Sequence, residues 1–203
     1  MRFAAFLLPL PLLLVPLAQP QGEELPSDSS AIVTLYAQDD LQSSFDFRHG
    51  SAGGRVAEGE VVLLDAQIAF GVFEKGHITV GLVRRERVEL LDLGSVSVPS
   101  QPLALERSVE FPLSLFHTLF FDGARFHYVG PGGDVHAYDQ ADRILRALPP
   151  DGLRHVEPVV GHVYLVRVRR DGVGSRDEFF KFQVIDLEPE RFMTIRWARV
   201  PGR

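Results

Sequence analysis

The sequence predicts a mainly β protein of antiparallel sheets, either a sandwich or a sheet-rich α+β fold, with one short helix. Three observations carry the prediction. Short β-branched and aromatic segments recur along the chain, separated by Gly-, Pro- and Asp-containing breaks. The last third alternates apolar and polar residues with a period of two, as a strand does when one face covers a core. A 45% hydrophobic share with fifteen Phe supplies a core and argues against global disorder.

The chain begins with a segment of another kind. Arg2 precedes residues 3–17, an uncharged run of Phe, Ala, Leu, Val and Pro, with the small Ala18 at its end. This is the length of a signal-peptide core and shorter than the roughly 20 apolar residues of a membrane helix. Pro9, Pro11 and Pro16 oppose a spanning helix further, at about 3 kcal/mol each in a helix interior. Residues 1–18 are therefore expected to be a cleaved signal, 19–30 a flexible mature N-terminus, and 31–203 a single β-rich domain. Export to the periplasm or the extracellular space follows. With no Cys there is no lipid-anchor acceptor and no disulfide, and no membrane span is expected in the mature chain.

Within the domain, residues 31–36 form the first β-rich stretch. Phe45-Asp-Phe47-Arg-His-Gly50 leads into a Gly-rich loop at 50–54, and 59–64 reads as a strand. Residues 68–73 and 77–83 flank Glu74-Lys75-Gly76 as a hairpin, and 88–98 is an apolar strand stopped by Pro99 and Pro102. The run 111–121 fits a buried helix or a strand pair equally, because short apolar runs do not resolve the period. The clearest helix is 139–148, with Ala141, Ile144, Leu145 and Leu148 on one face, Asp139 at its start and Pro149-Pro150 after it. Residues 161–170, 180–185 and 192–200 then read as an antiparallel meander with one buried face. That face carries Tyr164, Val166, Val168, Phe180, Phe182, Val184, Ile195 and Trp197.

Charge narrows the function classes. The net charge is −6, and −7 without Arg2. The Arg clusters at 84–87 and 167–170 are interleaved on strands and read as solvated faces, as does Asp177-Glu178 beside a turn. A nucleic-acid partner is not expected of such a chain. Ser51, in Gly50-Ser51-Ala52-Gly53, falls one residue short of a nucleophile elbow, and neither phosphate loop nor H-E-x-x-H motif is present.

The sharpest local feature is residues 126–137, Phe-His-Tyr-Val-Gly-Pro-Gly-Gly-Asp-Val-His-Ala, a hairpin signal. A two- or four-residue loop sets Val129 against Asp134, Tyr128 against Val135 and His127 against His136. The apolar face would hold Phe126, Tyr128, Val135 and Ala137. Opposed imidazoles with Cβ atoms about 5 Å apart could share a metal. A three-residue loop instead shifts the register by one and separates them.

The closing segments, Gly161-His-Val-Tyr-Leu-Val-Arg-Val-Arg-Arg-Asp-Gly172, Phe180-Lys-Phe-Gln-Val-Ile185 and Thr194-Ile-Arg-Trp197, resemble the closing strands of the HmuY-type family of exported bacterial β-rich haem-binding proteins. Phe45-Asp-Phe47-x-x-Gly50 and the strand after it stand in a comparable order. The resemblance covers about a third of the chain. It implies an exported β fold with a binding role. Many members are lipoproteins, which this chain cannot be, and no histidine here aligns with the family's haem ligands. The expected function is an exported, non-catalytic protein that binds a ligand or another protein. The alternative is binding of haem or a divalent metal through His127 and His136, and a third reading is a hydrolase that uses carboxylates.

Overall fold

The computed structural model describes residues 30–39, 42–53, 55–57, 60–62, 66–82, 86–95, 115–147, 153–170 and 176–202. The expected signal at 1–18, the tail to 29, the prolines at 99–102 and 149–150 and the Asp171-Gly172 turn lie outside them. The described chain runs β1 (Ala31–Tyr36), β2 (Ser44–Asp46), β3 (Ser51–Ala52), β4 (Arg55–Ala57), β5 (Glu60–Val62), β6 (Ile68–Phe70), β7 (Ile78–Val80) and β8 (Glu86–Asp92). It continues through α1 (Leu115–Thr118), β9 (Leu119–Phe121), β10 (Phe126–Val129), β11 (Val135–Ala137), α2 (Asp139–Arg146), β12 (Arg154–Val156), β13 (Val163–Arg170), β14 (Glu178–Glu188) and β15 (Phe192–Arg199). The fold is mainly β, and its strand pairs are antiparallel.

The expected meander is β13-β14-β15, the centre of a five-stranded sheet in the order β1-β15-β14-β13-β8. Its predicted face is the sandwich core. Tyr164, Val166, Val168, Phe180, Phe182, Val184, Ile195 and Trp197 pack on a second sheet ordered β12-β7-β6-β2-β3. Phe47, just past β2, sits between the sheets. Its ring stacks on Phe180 at 5.5 Å and Phe182 at 5.8 Å and meets the edge of Trp197 at 6.0 Å. Such ring pairs contribute about 0.5–1.5 kcal/mol each beyond area burial. Tyr164 is fully buried, and its hydroxyl accepts from the Val159 amide and donates to the Glu157 carbonyl. Burial pushes that phenol up to about 12.

The meander buries both faces, not one. Leu165, Arg167, Phe179, Lys181 and Ala198, on the reverse face, are all buried beneath a third layer of α1, α2 and the sheet β11-β10-β9. Alternation of charged with apolar residues reads as a solvent-facing side, but here the charges have internal partners. Arg167 donates to Asp177, to Glu89 and to the last carbonyls of α2, Ile144 and Leu145. Lys181 donates to the Leu119 carbonyl at 3.0 Å.

Residues 115–121 resolve the ambiguous run as one helical turn followed by a strand. The predicted helix forms as α2, but its N-cap is Tyr138, without a side-chain cap bond. Asp139 is the first helical residue, where its charge suits the helix dipole. Asp142, one turn in, is buried and accepts from the Phe126 amide at 2.7 Å, tying α2 to β10.

Asp177 and Glu178 are likewise partnered rather than solvated. The guanidinium groups of Arg169 and Arg167 hold the Asp177 carboxyl below its ordinary range. Glu178 accepts from Arg48 and Arg199 at one end of the sandwich core. Burial would raise the Glu86 carboxyl there, but hydrogen bonds from Arg48, Arg170 and Gln67 outweigh it and hold it low.

Candidate functional site

The β10–β11 hairpin pairs Val129 with Val135, Tyr128 with His136 and His127 with Ala137. The expected opposition of His127 and His136 is not formed, and the two imidazoles leave the hairpin on opposite faces. The loop decides this. Gly130 N–H donates to the Asp134 carbonyl at 2.8 Å and Gly133 N–H to the Gly130 carbonyl at 2.9 Å, which leaves three loop residues. Gly133 has φ +84°. This is a type I turn followed by a left-handed residue, the usual three-residue hairpin, and Pro131 stands where type I turns favour proline. Gly130 is also constrained, because a Cβ there would lie 3.2 Å from His136 Nε2.

Each histidine then has its own surroundings. His127 stacks on Phe120 at 5.3 Å, and its Nε2–H donates to Asp122 Oδ2 at 2.7 Å. Backbone N–H groups of Arg125 and Ala124, with His127, bring the Asp122 carboxyl down to about 2. His136 stacks on Tyr128 at 5.2 Å. The predicted apolar face is split by the same slip, so Val135 lies on the face away from Phe126 and Tyr128 and is 53% exposed. Among the described residues, no three His, Asp or Glu side chains gather in a metal-holding group.

Imidazole–carboxylate pairs recur at His49–Asp46 and His162–Asp92. His155 Nδ1 lies 2.9 Å from the Thr79 hydroxyl and faces Glu74 with the same nitrogen, at 3.9 Å. A relay needs the carboxylate and the hydroxyl on opposite ring nitrogens. Thr79 is also fully buried, out of reach of a substrate.

Cationic side chains gather at a cleft of about 70 Å³ between α1 and strands β14 and β15, lined by Phe116, His117, Lys181, Ala198 and Pro201 among others. Register explains the grouping. Lys181 pairs with Ala198, Gln183 with Arg196, and Arg196 with Ile32, so these side chains share one face of the sheet. Lys181 Nζ lies 5.5 Å from the Phe116 ring centroid, and the Arg196 guanidinium 6.0 Å from the same point. Arg196 Nη1 donates to His117 Nε2 at 3.4 Å. Burial, with Arg196 and then Lys181 nearby, lowers the His117 imidazole below its ordinary range. Arg199 also lines the cleft, but its guanidinium is engaged by Glu178.

The sequence analysis did not single out Lys181, Arg196, His117 or Phe116. The available signal was Lys181 itself, one of two lysines in an arginine-rich chain, set between Phe180 and Phe182. No family model, curated protein or solved structure matches this chain.

Proposed function

We propose that this chain is an exported, non-catalytic binding protein whose ligand seats in the cleft between α1 and β14–β15. One observation carries the reading: a buried ammonium, Lys181, lies beside the Phe116 ring at a cleft that the His117 imidazole and Arg199 also line. A buried cation costs several kcal/mol before its partners repay it. Leu or Met at that position would fill the space without that cost.

The leader at 1–18 supports export, and among the described residues no helix is long and apolar enough to cross a membrane. The likeness of the closing strands to the HmuY-type family is consistent with a binding role. Haem or a divalent metal held jointly by His127 and His136 is disfavoured, since a chelating pair needs one face of the hairpin and these two occupy both.

Two measurements test the reading. Expressed with its leader in a secreting bacterium, the protein should be recovered outside the cytoplasm with a mass that begins at Gln19. A full-length mass in the cytoplasm overturns export. A fragment screen read by amide chemical shifts should move Phe116, His117 and Ala198 together, whereas hits confined to other surfaces overturn the cleft.

A further inference from the structure

We propose that the chain forms a two-fold dimer through the edge of β1. Residues 30–34 of one copy pair antiparallel with the same residues of a second, and Ile32 meets Ile32 on the axis.

A sheet edge is a row of unpaired N–H and C=O groups, and folded proteins blunt it with brevity, charge or proline. Three of the four edges of the sandwich are blunted in this way. β3 is two residues long, β12 carries Arg154 and His155, and β8 carries Glu86, Arg87, Glu89 and Asp92. The fourth is β1, Ala-Ile-Val-Thr-Leu-Tyr, six residues with neither charge nor proline. Its Ile32 is 61% exposed, the most open of the large hydrophobic side chains among the described residues.

Backbone geometry fixes which groups face outward. Ala37 N–H donates to the Arg191 carbonyl at 2.8 Å, and the register continues as Leu35 with Met193, Val33 with Ile195 and Ala31 with Trp197. Hydrogen-bonded pairs alternate along an antiparallel ladder. The odd residues therefore bond β15, and the even ones point their N–H and C=O away from the sheet. Tyr36 closes the row, because its N–H donates to the Gln42 carbonyl and its carbonyl accepts from Asp39. The outward backbone groups of Ile32 and Thr34 have no hydrogen-bond partner among the described residues.

A second copy fits this row because the segment is nearly palindromic in its chemistry. Pairing about Ile32 sets Ser30 against Thr34, Ala31 against Val33 and Ile32 against itself, so hydroxyl meets hydroxyl and carbon meets carbon. An axis at Val33 or Thr34 would instead set Ser30 or Ile32 opposite Tyr36, whose groups are taken. Like charges facing each other across a strand pair oppose association, and this segment has none to bring together. Both faces of the sheet gain. Ile32 is covered on one, and on the other Val33, only partly buried against the sandwich core, receives Ala31 of the second copy. The contact is self-complementary and closes at two chains.

Sedimentation of the mature chain over a concentration series should show a monomer–dimer equilibrium. Ile32→Pro removes an N–H that no bond within the described chain uses, and Ile32→Lys sets two ammonium groups across the axis. Each should weaken the dimer at least about tenfold and leave the monomer folded, as expected at an outward edge position. The chain has no Cys, so Ile32→Cys carries a single thiol. Hydrogen-bonded antiparallel residues hold their Cα atoms about 5.5 Å apart, within disulfide reach. Mild oxidation should therefore link Ile32→Cys as a dimer, and should link Val135→Cys, at a position 53% exposed, far more slowly. A chain that stays monomeric throughout overturns the proposal, as does a dimer that survives Ile32→Lys or equal linking of the two cysteine variants. Slow amide exchange at Ile32 and Thr34 that does not depend on concentration also overturns it, since the chain would then cover its own edge.

Discussion

Arg167 Nη1 donates to the carbonyl oxygen of Ile144 at 2.8 Å, so a guanidinium from the central sheet closes the C-terminal end of α2. The same side chain bonds Asp177 and approaches Glu89 at 3.4 Å. Removing it leaves two helix carbonyls and Glu89 without this donor, while Asp177 keeps Arg169. Arg167→Ala should cost about 3–5 kcal/mol, as breaking one partner of a buried pair does. Arg167→Lys should recover only part of this, because an ammonium cannot reproduce the guanidinium fork. Urea midpoints measure both variants, and amide exchange at Ile144 and Leu145 should speed up in each.

Glu89 is the weak member of that network. Its Oε1 is buried without a hydrogen-bond partner. Burial raises its carboxyl above the ordinary value of 4.5 despite Arg167. The folded protein therefore holds this proton more tightly than the unfolded chain. The resulting stabilisation is full below pH 4.5 and is lost as pH rises through the folded value. At neutral pH an ionised Glu89 is a net cost, so Glu89→Gln should raise Tm at pH 7, with a gain that shrinks towards zero by pH 4. A variant less stable at pH 7 would show that attraction to Arg167 exceeds the burial cost.

Two glycines separate backbone strain from collision. Gly71 has φ +68°, and a Cβ there would stand 2.6 Å from the Cβ of Ala37. Gly133 has φ +84° and open space around it. Gly133→Ala should cost about 1–2 kcal/mol, the left-handed penalty alone. Gly71→Ala should cost clearly more, since the contact between the β6–β7 turn and the segment after β1 must also open. Denaturant titrations that give equal losses would mean that the turn yields freely.

Much of the sheet was legible along the chain because strand period is local. Tyr164, Val166 and Val168, Phe180 and Phe182, and Ile195 and Trp197 alternate at intervals of two, and each faces the sandwich core as expected. The β6–β7 hairpin and α2 also stand where breakers and periodicity put them. The reverse face was not legible. Arg167 and Lys181 alternate with apolar residues just as solvated charges would, and their burial depends on Asp177, Ile144 and Leu119, brought to them by the fold. The hairpin lay between these cases. Pro131 and Gly133 allowed a three-residue loop, but alternation alone did not choose it over the even loops.

The sequence by itself determined the class of fold, the β6–β7 hairpin, the closing meander and the inner face of the sandwich, because steric preference and two-residue alternation act within a few residues. The tertiary structure alone decided which charges are buried, which histidines stay apart and where cations converge. Those outcomes depend on register and on layers that meet across long stretches of chain. A one-residue slip at Gly130–Asp134 separated His127 from His136, while the register of β1, β15 and β14 brought Arg196 and Lys181 to Phe116.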